Sequence, residues 1–582
     1  NALDLLKDRG IAVDIGQIPL DDPATYELYS KARTVAVFQV ESSGMMDALR
    51  RMKPTCIEDI VALVALYRPG PMENIPQYCD VKNDRAERAT LHPLIDHILD
   101  ETQGIIVYQE QVMQIAQEMA GYSLGGADLL RRAMGKKIQE AMDAERPKFL
   151  EGAAANGVDK TKALEVWNLL DKFANYGFNK SHAAAYAVVS YQTAWIKANY
   201  PVEFMAGVMN CDLHLTDKLS IYAEEVRRGL GLGIVPPCVN RSEATFSVRD
   251  GSLVYALGAL KNVGTEAMRL IVEARGDKPF ATLFDLSRRV DLKRIGKRPL
   301  EMLARAGAFD QLDPNRHRVF KSLDALTGYS AAIHEQRASN QVSLFGDAGD
   351  DLPEPRLSPV DDWLPNERLS EEHTAIGFYL SGHPLDDYAA SLKRRGLLTL
   401  AELQEKAEAE GAAIARVGVI VSALQERKSG RGTRFFRMNI SDPTLQVPGM
   451  ALFPDDFDAC RKVFEATTQV VMTLEARFNE GQFDPIARSV APIDGIVDMD
   501  ASGLDIMVDD LSAIGLIQSV LERFRSDGSI KTKGPIRITA LSVPLPEATQ
   551  DVPVGIGDGW PVSPKIKGAI KSLPGVVLVE DI

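Results

Sequence analysis

The chain has 582 residues, 45% apolar and 25% charged, with a formal net charge of −15. That length is too great for one hydrophobic core, so three to five domains are expected, and the composition is that of globular rather than fibrous or disordered protein. The acidic balance argues against a nucleic-acid binder as a whole, no apolar run approaches the ~20 residues of a membrane span, and five scattered cysteines without a CxxC pair fit a reducing cytoplasm rather than a zinc knuckle or disulfide framework.

Taken in order, NALDLLKDRG has no signal-peptide layout and reads as the middle of a helix, so a longer parent chain is expected. Residues 1–210 are helical by pattern. VYQEQVMQIAQEMAG (107–121) ends at a glycine, and SHAAAYAVVSYQTAWIKANYP (181–201) has Ser181 as N-cap and Pro201 as stop. The latter is apolar nearly all round, which predicts a helix packed on more than one side. A hairpin is predicted with its turn at Asp250-Gly251. Two helix-turn-helix units follow, 257–276 with its turn at 261–264 and 298–312 with its turn around Gly307. Residues 341–373 carry nine Asp/Glu, two Arg and four Pro and are expected to be a mobile linker. Residues 374–412 are helical again. Five period-two runs between 413 and 492, with one helix (455–466) between the third and fourth, predict a small barrel of the OB type. The remaining residues alternate strand and helix. The fold class is multidomain α+β.

Three stretches are candidates for chemistry. GYSLGGADLLRRAMGKK (121–137) places Arg131, Arg132, Lys136 and Lys137 on or beside a glycine-bracketed helix, a cation cluster suited to a triphosphate, although a basic helix end in solvent gives the same pattern. YGFNKSHAAAYA (176–187) sets Asn179, Lys180 and His182 at a helix start, an anion site or a simple cap. ALYRPGPM (65–72) fixes Arg68 before a rigid turn. Charge is segregated: residues 288–321 hold ten Lys/Arg and four Asp/Glu.

With FQVESSGM (38–45), LVALYRPGPMEN (63–74), GIIVYQEQVMQIAQEMAGYSLGGADLLRRAMGKK (104–137) and FANYGFNKSHAAAYAVVSYQTAWIKANYPVEFMA (173–206), the chain resembles the C family of bacterial replicative DNA polymerases, in order and in long ungapped blocks. The resemblance implies the end of a palm or connecting helix at 1–20, fingers at 21–210, and a clamp-binding region with tandem helix-hairpin-helix modules at 211–340. It further implies a linker with a clamp-binding peptide at 341–373, a helical connector at 374–412, an OB-fold domain at 413–492 and a tau-binding-like α/β domain at 493–582.

The same resemblance assigns Arg131, Arg132, Lys136, Lys137, Asn179, Lys180 and His182 to a deoxynucleoside triphosphate. It assigns Lys261, Gly264, Lys293, Arg294, Lys297 and Arg298 to DNA phosphates, where hairpin glycines let backbone N–H groups approach. Phe435 and Phe436 of the barrel are candidates for stacking on single-stranded DNA, although neighbours in a strand face opposite sides. Gln341, Leu344 and Phe345 match the Gln-x-x-Leu-Phe peptide that binds the sliding clamp. The implied partners are primer-template DNA, the clamp, the clamp-loader tau subunit and, through a part preceding Asn1, the proofreading exonuclease. Two-metal phosphoryl transfer needs Mg²⁺ held by carboxylates, which the resemblance puts upstream of this chain; Asp498 and Asp500 are rejected as a substitute, and no catalytic or metal residue is assigned here. The alternatives are a non-catalytic DNA-binding clamp tether and the error-prone polymerase paralogue.

Overall fold

The computed structural model describes residues 1–135, 139–174, 177–338, 352–430, 432–479, 482–493, 503–528, 530, 532–544, 549–557 and 559–582. By internal contact the chain divides into two units, Asn1–Asp212 with Ile221–Ile234 and Ser247–Leu253, and Leu213–Ser220 with Val235–Phe246 and Val254–Ile582.

The first unit is helical: α1 (Ala2–Asp8), α2 (Pro23–Ser30), α3 (Ser43–Met52), α4 (Ile57–Leu66), α5 (Ile75–Lys82), α6 (Gln109–Ala120), α7 (Leu124–Gly135), α8 (Gln139–Ala155), α9 (Lys160–Ala174), α10 (Lys180–Asn199) and α11 (Pro201–Cys211). Two cores divide it. One gathers α2 to α5 around Ala183, Ala187, Tyr191 and Ala194 of α10; the other joins α6 to α9 through Val112, Leu130, Phe149 and Trp167. The all-round apolar character of α10 has its cause here, because α2, α4 and α11 all pack on it. Its N-cap is Asn179, not Ser181: the Asn179 side chain accepts from the His182 N–H at 2.9 Å. Lys197 of α10 is buried, and its ammonium donates to the carbonyls of Arg33 and Val35 at 2.8 Å each and pairs with Glu225 at 2.6 Å.

Next along the chain come α12 (Thr216–Glu224) and the short strands β1 (Ile234–Val235), β2 (Ser247–Arg249) and β3 (Ser252–Val254). The β2–β3 hairpin turns as expected at Asp250-Gly251, both at positive φ (51° and 72°), the twist that a two-residue hairpin favours.

The second unit continues with α13 (Thr265–Arg275), α14 (Leu283–Arg289), α15 (Leu292–Ile295), α16 (Lys297–Arg305), α17 (Arg316–Ala338), α18 (Pro365–Ile376), α19 (Ala389–Arg394) and α20 (Leu400–Glu410). The linker expectation for 341–373 is corrected over its described part. Residues 352–364 have no regular secondary structure but are held by residues of α14, α17 and the turn before α17, and α18 starts at Pro365. Trp363 stacks on His317 with centroids 5.2 Å apart, Asn315 donates to the Val360 carbonyl, and Arg288 pairs with Glu354. Composition missed this because the acidic residues find arginines on neighbouring helices and one tryptophan supplies the apolar anchor.

The five predicted strands exist as β4 (Ala412–Lys428), β5 (Arg434–Ser441), β6 (Gln446–Leu452), β7 (Gln469–Asn479) and β8 (Gln482–Pro492), closed into a barrel in the order β4-β5-β6-β8-β7, with α21 (Phe457–Ala466) between β6 and β7. Pro448 is tolerated because the β5–β6 register shifts beside it, where Gly449 (φ 67°) turns its N–H to the Asn439 side chain at 2.8 Å.

A final sheet, β12-β11-β9-β14, follows: β9 (Leu504–Val508), α22 (Ser512–Asp527), β10 (Lys533–Gly534), β11 (Ile536–Pro544), β12 (Thr549–Val554), β13 (Trp560–Pro561), α23 (Pro564–Lys571) and β14 (Val576–Asp581). β9 and β11 are parallel and joined through α22, and β10 pairs with β13.

Candidate functional site

The three stretches singled out in the sequence meet in the first unit. Phe178 is the hinge point. The Arg68 guanidinium lies 4.4 Å over its ring, held by an Nε–H bond to the Ala65 carbonyl at 2.9 Å. His182, in the first turn of α10, meets Phe178 edge-on with centroids 5.5 Å apart and packs on Tyr186 at 4.5 Å. The Phe178 backbone continues the contact: its carbonyl accepts from the Gln109 N–H at 2.9 Å.

Gln109, the first residue of α6, then joins the second cluster. Its side-chain N–H donates to the Gly177 carbonyl at 3.2 Å, and its amide oxygen accepts from Arg131 Nη1 at 3.4 Å. Gln109 therefore couples the loop before α10 to α7. Sequence reading passed over it because an uncharged residue at a helix start carries no local signal of a phosphate site.

Carboxylates accompany each described cation of the cluster. Asp128 Oδ1 accepts from Arg131 Nε and Nη2 at 3.0 and 2.8 Å, and its Oδ2 lies 2.8 Å from Arg132 Nε. The Arg131 hydrogen bonds, followed by the nearby Arg132 charge, hold the Asp128 carboxyl below its usual range. Lys180 Nζ reaches both oxygens of Glu101 at 2.8 and 2.6 Å, while Glu110 accepts from Asn179 Nδ2 at 2.9 Å and from the Lys180 N–H at 3.0 Å. Burial pushes the Tyr108 phenol, beneath Lys180, far above its ordinary value, so it stays neutral. Arg132 is the most open member, with 63% of its side chain exposed. Lys136 and Lys137 lie outside the described residues. Beside this cluster lies a cavity of about 210 Å³ whose lining includes Arg68, Pro71, Gln77, Ile105, Leu169 and Phe173.

In the second unit the turn expected at Gly307 is present, between the end of α16 at Arg305 and the start of α17 at Arg316, with Gly307 at φ 77°. The second expected turn, at Gly307, is filled: an added Cβ would lie 2.6 Å from Arg316 Nε. A further tight helical turn falls at Gly296 (φ 92°), between α15 and α16, and all four cations Lys293, Arg294, Lys297 and Arg298 flank it in exposed positions. Lys293 and Lys297 make exposed pairs with Glu335 (3.4 Å) and Asp324 (2.9 Å). Two cations at the first turn of α16 oppose its dipole and concentrate positive potential there, which favours an anion. At the first turn, Gly264 is in extended backbone (φ −88°) with nothing within 4 Å of an added Cβ, so it is open to close approach; the left-handed residue is Asn262. Lys261 packs toward the end of α18, where its N–H bonds the Ala375 carbonyl at 2.8 Å and its Cε would lie 2.6 Å from a Cβ on Gly377.

On the barrel, the Phe436 expectation is corrected. Phe436 is 1% exposed, stacked on Phe457 at 4.2 Å and edge-on to Phe464, so no base can reach its face. Its neighbour Phe435 points the other way and stacks at 4.8 Å on Phe453, which is 41% exposed. The surface aromatic pair is thus Phe435–Phe453. Gln341, Leu344, Phe345, Asp498 and Asp500 lie outside the described residues.

Among the described residues no group of three His, Cys, Asp or Glu side chains is arranged to hold a metal, and none of their helices is long and apolar enough to cross a membrane. The carboxylates nearest the cation cluster are engaged by Arg, Lys and amide groups, a donor set that does not fit Mg²⁺.

Residues 1–157 match the model of the bacterial DNA polymerase III alpha subunit finger domain, and residues 231–319 match a helix-hairpin-helix motif. Over 579 residues the chain is 43% identical to DNA polymerase III subunit alpha of Caulobacter vibrioides, covering 99% of this chain and 50% of the relative. It is 42% identical over 501 residues to the subunit of the same name from Pseudomonas aeruginosa, covering 81% of this chain and 42% of the relative. The figures for that of Escherichia coli K12 are 37% over 586 residues, 98% and 49%. The resemblance read from the quoted motifs is borne out: the chain is similar over nearly its whole length to bacterial DNA polymerase III alpha subunits, and it spans about half the length of the curated relatives it matches.

Proposed function

We propose that this chain is the C-terminal portion of a replicative DNA polymerase III alpha subunit, whose intact form carries out DNA-templated 5′–3′ synthesis. The observation that carries the reading is the convergence of Arg68, Arg131 and the start of α10 on Phe178 and Gln109, with Arg132 beside Arg131 on α7. Such a convergence brings cationic groups from stretches far apart in sequence into one site. Arginine forks match phosphate oxygens, and fixed positive groups stabilise charge that develops as pyrophosphate leaves. The residues of this part bind and orient the triphosphate; Arg131, Arg132, Lys136, Lys137, Asn179, Lys180 and His182 are its ligands. The metal-assisted chemistry belongs to carboxylates of the whole enzyme beyond this chain, and no step is assigned to a metal here.

The second service is a sequence-independent grip on DNA. The N–H groups at Gly264 and Gly296 approach phosphates, with Lys261, Lys293, Arg294, Lys297 and Arg298 supplying charge, and the Phe435–Phe453 pair of the OB-type barrel stacks single-stranded bases. The third is tethering. Gln341, Leu344 and Phe345 dock on the sliding clamp, where burying each large side chain contributes about 2–3 kcal/mol; the closing α/β domain meets the clamp-loader tau subunit.

In the full-length polymerase, Arg132→Ala is expected to raise the nucleotide KM or lower kcat at least tenfold, about 1.4 kcal/mol; an effect below twofold returns α7 to a solvated basic helix. Leu344→Ala with Phe345→Ala is expected to abolish capture by immobilised clamp, and unchanged capture removes the peptide assignment.

A further inference from the structure

Asp128 precedes Arg131 and Arg132 by three and four residues on α7, so one carboxylate lies under both guanidinium groups. It uses both oxygens there: Oδ1 takes the Nε and Nη2 edge of Arg131 at 3.0 and 2.8 Å, and Oδ2 sits 2.8 Å from Arg132 Nε. That is the arrangement a phosphate edge would adopt on the same two side chains. Glu101 and Glu110 differ in kind: they tie Lys180 and Asn179, at the start of α10, to residues far away in sequence and so hold the fold together. Among the described residues the hydrogen bonds and ion pairs of Asp128 go to its own helix, and Arg132 is mostly exposed, so opening the pair unfastens no described element.

We propose that Asp128 is an internal counter-ion that occupies the phosphate-binding edges of Arg131 and Arg132 in the ligand-free chain, and that a triphosphate enters by exchanging with it. The proposal rests on the nucleotide reading above. A carboxylate left between the two forks repels a polyanion at contact distance, so it must give up at least one edge. Exposed helical ion pairs are weak, so the exchange is easy and sets affinity without endangering the fold. Asp128 is on this account a specificity-determining residue: a ligand presenting a single weak anion does not compete with the bidentate carboxylate, whereas a chain of phosphates does.

The test uses the chain itself with inorganic tripolyphosphate as probe, by titration calorimetry at low salt. Asp128→Asn keeps shape and removes charge, and it is expected to tighten binding two- to fivefold, on the order of one exposed ion pair. Glu165→Gln on α9, whose partner is Lys162, makes the same change in net charge away from the site and is expected to leave affinity within about 1.5-fold. Raising NaCl from about 50 mM to about 0.5 M is expected to shrink the Asp128→Asn advantage toward unity, because the repulsion is screened. Arg132→Ala, expected to weaken binding, separates the two ideas. If Arg132→Ala weakens binding while Asp128→Asn is neutral or weaker, the counter-ion proposal is overturned and the nucleotide reading stands. If Arg132→Ala changes nothing, both fall.

Discussion

Replacing Lys197 by Met tests the physics of the first unit most directly. The Lys197 ammonium is fully buried and makes three contacts: the carbonyls of Arg33 and Val35 at 2.8 Å each and the Glu225 carboxylate at 2.6 Å. Burial holds its pKa below the ordinary lysine value although Glu225 pulls the other way, so desolvation outweighs the attraction of its partner. Met keeps the apolar stem and removes the donors. It leaves two carbonyls unsatisfied and a carboxylate, 11% exposed, without its cation. Breaking such a pair from one side costs about 3–5 kcal/mol. Hydrogen exchange read at α10 and residues 33–37 should therefore lose about a hundredfold or more in protection. Adding Glu225→Gln removes the stranded charge and should return at least about 1 kcal/mol. A loss below tenfold, or a double variant as unstable as the two singles summed, would refute the claim that the buried charge, rather than packing of the stem, governs this site.

Gly307→Ala meets a left-handed backbone (φ 77°) and the Arg316 guanidinium, itself paired with Asp310 at 2.8 Å, so a loss of about 2–4 kcal/mol is expected by thermal unfolding. Phe436→Ala should cost about 3–5 kcal/mol as a core truncation, whereas Phe435→Ala with Phe453→Ala should leave stability nearly intact and weaken binding of oligo-dT; equal stability losses would contradict the assignment of faces. Burial, and then the Lys261 charge, lowers the His373 pKa against a weaker pull from Glu372. Unfolding then takes up a proton below the ordinary histidine pKa, so stability is full above it and falls as pH drops; between about pH 8 and 5.5 the decline in Tm should be smaller in His373→Gln. Arg294→Ala with Arg298→Ala should lower the salt dependence of duplex binding by up to about two in slope, and an unchanged slope would remove Gly296 from the DNA surface.

Local signals were enough for the elements whose causes are local. The period-two runs of 413–492 form the barrel strands, the Asp250-Gly251 turn forms a hairpin, and the blocks of residues 38–206 carry the family resemblance by themselves. The turn at Gly307 and the positive residues at 293–298 were also plain in the sequence; the additional tight turn at Gly296 was not, and only the position of Arg316 shows that the space at Gly307 is taken.

What the chain dictates alone is thus the set of elements and the kinds of charge they carry, since helix and strand periodicity and capping act within a few residues. Which partners those charges meet was settled by packing. Arg68 reaches Phe178 and Arg131 reaches Gln109 only after α4, α6, α7 and α10 are assembled, and the acidic stretch after residue 351 finds its partners on other elements, among them His317 of α17, Asn315 just before it and Arg288 of α14. Contacts between residues 22 to 110 positions apart cannot be read from spacing, because closing them depends on the summed burial of the two helical cores rather than on any one pair of side chains.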